Sequence, residues 1–212
     1  MMKNNIMALV LVISSFAAFG NNTTMVVSSE PTKLLEGTGN ALFQYKIRDF
    51  MALTGTAFFG TKWPTIYLAE YAGAIAGGAY NSSLLMGGAG IGTRFFLNSQ
   101  SLSDGFFAEP RLILSIHSYN LKTGSTSVID SNRITLLPQV LVGYSWFWDN
   151  GFFLSTHLET GYGYHIKNSI TVDSALESRL ADKSMLRNML WADKGAWQFD
   201  YGYSLSLGYA FN

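Results

Sequence analysis

In the stretch WQFDYGYSLSLGYAFN, residues 197 to 212, every second side chain from Trp197 to Phe211 is large and apolar or aromatic; between them stand only Gln198, Asp200, Gly202, Ser204, Ser206, Gly208 and Ala210. Period two is the signature of an extended strand with two unlike faces. The same alternation recurs through the chain. Ile134, Leu136, Pro138, Val140, Val142, Tyr144, Trp146 and Trp148 oppose Arg133, Thr135, Gln139, Gly143 and Ser145. After an Asp149-Asn150-Gly151 turn, Phe152, Leu154, Leu158, Tyr162, Tyr164 and Ile166 oppose Ser155, His157, Glu159, Gly161, Gly163 and His165. Phe106, Ala108, Pro110, Leu112, Leu114 and Ile116 face away from Glu109, Arg111, Ser115 and His117, and Leu85, Ala89, Ile91, Phe95 and Leu97 from Gly88, Gly90, Gly92 and Arg94. Such long two-faced strands exceed the needs of a soluble sandwich.

Composition bears on where the apolar faces go. The chain is 48% hydrophobic and 13% charged, with 15 Phe, 11 Tyr, 5 Trp and no Cys, so disulfides and a lipidated cysteine are excluded. Lys3 precedes an uncharged run from Ile6 to Phe19 that ends in small residues, Ala17, Ala18 and Gly20. Residues 1–20 read as a cleaved secretory signal peptide, because the run is shorter than the about 20 residues a membrane helix needs. Residues 21–212 then form one domain. Loss of Lys3 leaves 13 basic against 14 acidic residues. No basic stripe marks a nucleic-acid partner.

An exported chain with no further helix-length apolar run can live in a membrane only as a closed barrel. Strands are expected near 40–47, 50–59, 83–97, 105–119, 133–148, 151–166 and 196–212. An even count requires one more, supplied by a weak strand around Thr24 to Glu30, the better candidate, or by Ile66 to Ala76. Short turns at Asp149–Gly151 and Ser99–Asp104 alternate with long connections at Leu121–Asn132 and Lys167–Gly195. This places the short turns and the C-terminus in the periplasm. The fold expected is all-β, an eight-stranded antiparallel transmembrane β-barrel with a helical extracellular loop.

The alternating strands, the FQYKIRDFMALTGTAFFG hairpin, the GGAGIGTRFFLN segment and the aromatic terminal strand resemble the small eight-stranded outer-membrane β-barrel proteins of Gram-negative bacteria, the group that includes the OmpA membrane domain. The resemblance covers essentially the whole mature chain and lies in pattern more than in any one motif. It implies residence in the outer membrane, contact with its lipids and lipopolysaccharide, and insertion by the outer-membrane assembly machinery. Members commonly end on Phe, whereas Asn212 follows Phe211 here. No peptidoglycan-binding domain is expected after the terminal strand.

With the apolar faces toward lipid, Lys46, Arg94, Glu109, Arg111, Gln139, His157, Glu159 and Asp200 form an inward polar set, accompanied by Gln44 and Gln198. Buried charges must be paired, so a salt-bridged lumen filling is expected; a narrow gated pore through the same charges is the sharper alternative. Tyr144, Trp146, Trp148, Tyr162, Tyr164, Trp197, Phe199, Tyr209 and Phe211 form the lipid-facing aromatic belt. The leading reading is a non-enzymatic barrel with a structural or surface-interaction role and an unidentified surface ligand. The alternative is a lipid A-modifying acyl hydrolase. The lipid A deacylases use a His and a Ser two apart on one strand; Ser115 and His117 show that spacing in reverse order.

Other chemistry is weakly signalled. Three His without Cys or an HExxH spacing predict no metal site, and no cofactor is expected. GGAGIG at 87–92 falls inside an alternating strand, so its glycines are read as relief of crowding in the lumen. Residues Asp173 to Ala192 read as the helical loop, with Ser174 and Glu177 in a capping-box spacing.

Overall fold

The computed structural model describes residues 25–35, 37–61, 81–97, 102, 104–148, 150–174 and 197–211. Eight antiparallel strands close on themselves in sequence order: β1 (Met25–Ser29), β2 (Thr38–Arg48), β3 (Met51–Gly60), β4 (Asn81–Phe96), β5 (Gly105–Thr123), β6 (Thr126–Phe147), β7 (Phe152–Val172) and β8 (Trp197–Phe211). One short helix, α1 (Pro31–Leu35), lies between β1 and β2. The ring closes where Met25 pairs with Phe211 and Ser29 with Leu207. The eighth strand is therefore the one expected around Thr24 to Glu30. Among the described residues no helix is long and apolar enough to cross a membrane.

Side-chain direction follows the sequence period. Ile91, Phe106, Leu114, Ile116, Val140, Val142, Leu158, Phe199, Tyr201 and Tyr203 all lie exposed on the outside. Arg94, Glu109, Gln139, His157 and Ser204 are buried within. A soluble fold does the reverse, since burial of apolar area is what drives its collapse.

The expected loop from Leu121 to Asn132 is absent. β5 and β6 run on to Thr123 and Thr126, paired through a bulge at Leu121/Lys122 and turned by Gly124 at φ 58°. Beyond Ile116 the outward residues become Ser118, Asn120, Lys122 and Ser127, so the outward face is polar and the contrast that reveals a strand is lost. The inward face meanwhile stays buried through Tyr119, Leu121 and Ile129. β7 likewise continues past Ile166 to Val172, with a bulge at Ile134/Thr135. β4 to β7 thus form a tall wall and β1 to β3 a low one. The helix read over Asp173 to Ala192, the leader at 1–20 and Asn212 lie outside the described residues, apart from the first two positions of that helix.

The row Gly88, Gly90, Gly92 shows why β4 carries so few side chains. A Cβ on Gly88 would stand 2.6 Å from the Phe58 ring, on Gly90 2.8 Å from Ile113, and on Gly92 2.8 Å from Thr54 and 3.2 Å from Arg111. Large inward residues of β3 and β5 occupy the space that β4 leaves.

Candidate functional site

Eight strands enclose a lumen just wide enough for its own side chains, and here the filling is layered. At the short-turn end Val26, Ala52, Phe96, Phe107, Leu141 and Phe153 make an apolar plug, joined by Leu102 from the β4–β5 connector. Leu102 adopts φ 54° and is buried in this mouth. Phe147 closes on Phe153 with ring centroids 4.9 Å apart.

Against the plug sits a charge cluster. Arg94 Nε donates to Glu109 Oε2 at 2.8 Å, Arg111 Nε donates to Glu109 Oε1 at 2.8 Å, and Thr54 Oγ1 donates to Glu109 Oε1 at 2.9 Å. The Arg94 guanidinium lies 3.7 Å from the Phe107 ring centroid, which ties the charged layer to the apolar one. Two cations on one fully buried carboxylate leave one positive charge over. Glu30, which leaves the end of β1 and turns into the lumen, stands beside His157, Nε2 to Oε1 3.2 Å, and supplies the second anion.

The segment between β1 and β2 fills the next layer. Pro31 opens α1, where its missing N–H costs nothing, and Gly37 at φ 80° turns the chain into β2. Asn40 Nδ2 donates to Glu30 Oε2, and Asn40 Oδ1 accepts the Glu30 N–H at 2.8 Å. Lys33 Nζ pairs with Glu159 at 2.8 Å, and Thr32 Oγ1 lies 3.2 Å from Ser204 Oγ. Nearer the loop end, Gln139 Nε2 donates to Asp200 at 2.8 Å and Thr135 Oγ1 meets His165 Nδ1 at 3.0 Å.

The structure thus brings Arg94, Glu109 and Arg111 into direct contact, places His157, Glu159, Gln139 and Asp200 in separate pairs on the same lumen wall, and leaves Lys46 at the turn-side rim, 3.2 Å from Asp49. Sequence reasoning missed Glu30, Lys33 and Asn40, which lie where no alternation calls attention to them. It also missed the apolar plug. The signal for the plug was there as doublets, Phe95-Phe96, Phe106-Phe107 and Phe152-Phe153, each sending one ring outward and one inward. Ser115 Oγ and His117 Nε2 lie 3.2 Å apart on the inner face of β5. Among the described residues no group of three His, Cys, Asp or Glu could hold a metal.

Outside, the aromatics gather in two bands. Toward the turns, Phe106 meets Tyr144 edge-on at 4.9 Å, Tyr144 meets Trp146 at 4.7 Å, Trp148 meets Phe152 at 5.1 Å and Tyr209 meets Phe211 at 5.2 Å. Toward the loops, Tyr162 meets Phe199 at 5.1 Å beside an exposed Tyr164, which is paired in register with position 197. Leu154, Leu158, Leu205 and Leu207 lie between the bands on β7 and β8, with the exposed Tyr203 opposite Leu158.

Neither a protein-family model nor a curated protein matches the chain. A major outer membrane protein from Thermus thermophilus superposes with a TM-score of 0.55 at 12% identity, over 89% of this chain and 99% of that one. The chain has the fold of an outer-membrane β-barrel. Neisserial surface protein A is also matched, at 11% identity over 89% of this chain and 93% of that one, with a TM-score of 0.41. At 12% identity the likeness to the Thermus protein is one of barrel architecture, and it transfers no site residue to the barrel described here.

Proposed function

We propose that this chain is a non-enzymatic outer-membrane barrel with a structural or surface-interaction role, exported through a signal peptide at 1–20 and inserted by the assembly machinery with its short turns in the periplasm. One observation carries the reading: the outside is apolar between two aromatic bands while charges are buried and paired inside, an arrangement that is favourable only when the outer surface meets lipid. Outer-membrane lipids and lipopolysaccharide are then its immediate partners. The tall β5–β6 hairpin offers a surface ligand a polar face, where Asn120 Nδ2 donates to Ser127 at 2.7 Å and Asn132 Nδ2 to Asp130 at 2.9 Å. The test is export and refolding together. The protein should fractionate with the outer membrane, begin at Asn21 when matured, and show heat-modifiable migration after refolding in micelles. A soluble periplasmic product would reject the proposal.

The layered filling favours a closed lumen over a gated pore. Planar-bilayer recording of refolded protein is expected to show no conductance beyond the lipid background, and steady unitary currents would reverse that preference. A second reading rests on the 3.2 Å contact between Ser115 and His117, the geometry an acyl hydrolase of lipid A needs for proton transfer. Mass spectrometry of lipid A from cells expressing the protein and its His117→Ala variant decides between them: an altered acylation pattern that the variant abolishes establishes the hydrolase.

A further inference from the structure

The barrel wall is not equally sealed all round. β1 is five residues long and its neighbour β8 is fifteen. β1 pairs with β8 from Met25↔Phe211 to Ser29↔Leu207, and with β2 from Met25↔Tyr45 to Ser28↔Leu42. Beyond those pairs, β8 from Ser206 upward and β2 from Ala41 to Thr38 have no strand between them among the described residues. Two inter-strand spacings leave a slot of about 9.5 Å, close to the width of a helix, about 10 Å. α1 stands beside this slot, contacting both β2 and β8.

Its attachments there are side chains instead of a ladder. Thr32 Oγ1 accepts the Leu205 N–H at 3.5 Å and lies 3.2 Å from Ser204 Oγ, and Lys33 reaches through to Glu159. Leu34 points the other way, exposed, with its Cδ2 3.7 Å from where a Cβ on Gly39 would sit. α1 is therefore a one-turn wall segment that presents Thr32 and Lys33 inward and Leu34 outward. Along an antiparallel strand both backbone polar groups of a residue point to the same neighbour, alternating sides. Since the Leu205 N–H points to the slot, those of Tyr203 and Tyr201 do too. Elsewhere in the wall, paired backbone bonds would have to break together for a breach to form; here the closure is made through side chains, from Thr32 and Lys33 to β8 and β7 and from Glu30 to Asn40 and His157.

We infer that α1 is a lateral door: the wall between β2 and β8 opens toward the bilayer by displacement of α1, giving the lumen near Ser204 a side entrance. This rests on the reading that the outer surface meets lipid. Because the chain has no Cys, single thiols can be placed cleanly. Ser204 and Ser155 are both fully buried lumen residues, the first beside the slot and the second flanked by paired strands on both sides. Refolded full-length Ser204→Cys and Ser155→Cys proteins in phospholipid vesicles would be treated with a bilayer-dissolved alkyl maleimide and, separately, with a charged water-soluble one. Val140→Cys serves as the outer-surface control.

The expected result is that the alkyl reagent labels the Ser204→Cys thiol at least tenfold faster than the Ser155→Cys thiol. Lys33→Met should accelerate the first and leave the second unchanged. Equal rates, or labelling of the Ser204→Cys thiol by the charged reagent alone, would overturn the door, because entry would then be through the mouth. Labelling of the Val140→Cys thiol by the charged reagent as fast as a free thiol would instead count against the membrane reading, because that position would then face water. Should Lys33→Met fail to refold, the comparison of the two serine positions in the otherwise unchanged chain still decides.

Discussion

The apolar plug and the charge cluster are neighbouring layers of one lumen, yet they are held by opposite physics. Phe96, Phe107, Leu141 and Phe153 pack without directional demands, whereas Glu109 is stable only because Arg94, Arg111 and Thr54 all reach it. The plug contributes by excluding water, and losing part of it leaves a cavity. The cluster contributes little net attraction over its desolvation cost, but losing its centre strands two guanidiniums. The difference teaches that the charged layer sets which arrangement is allowed and the apolar layer sets how tightly it is packed.

That contrast can be broken in graded steps, each read as the change in unfolding free energy of refolded protein in micelles or vesicles. Glu109→Ala should be the most damaging, about 4 kcal/mol, because the carboxylate that holds both arginines is gone. Phe153→Ala should cost about 3 kcal/mol through a cavity in the plug, while the Arg94–Glu109 pairing survives. Moving the charge outside sharpens the comparison: Val140→Arg, between the aromatic bands, should cost about 2 kcal/mol or more, whereas Asn120→Arg on the tall hairpin should stay within about 0.5 kcal/mol. Gly90→Ala is expected to be the mildest of the lumen changes, about 2 kcal/mol, since its methyl would stand 2.8 Å from Ile113 and 2.9 Å from the Leu112 backbone oxygen, so that the wall itself must shift. A Glu109→Ala loss smaller than that of Gly90→Ala would show that the cluster is not the layer on which the arrangement depends.

The two layers also differ in how they were legible from sequence. Arg94, Glu109 and Arg111 announce themselves, because a charge on the small-residue face of an alternating strand must be inside and must be paired. The inward rings do not: Phe107 is invisible beside Phe106, since period two assigns the lumen to polar residues and a doublet satisfies both faces at once. The barrel and seven of its strands followed from alternation over the stretch where an apolar outer face opposes a polar inner one, and the eighth followed from the need for an even count. Above the loop-side aromatic band the outward face becomes polar, and the pattern no longer separated strand from loop at Leu121–Asn132. The tether made by Glu30, Lys33 and Asn40 depends on where a short helix folds back, which no local periodicity encodes.

The central claim is that this barrel is turned inside out relative to a soluble domain, and consecutive positions on β6 test it most directly. Single cysteines at Gln139, Leu141, Val140 and Val142, spin-labelled after refolding into bilayers, report collision with lipid-soluble oxygen and with a water-soluble nickel complex. The account predicts high oxygen access at the two even positions and low access to both reagents at the two odd ones. Loss of the alternation, or oxygen access greatest at Gln139 and Leu141, would contradict it.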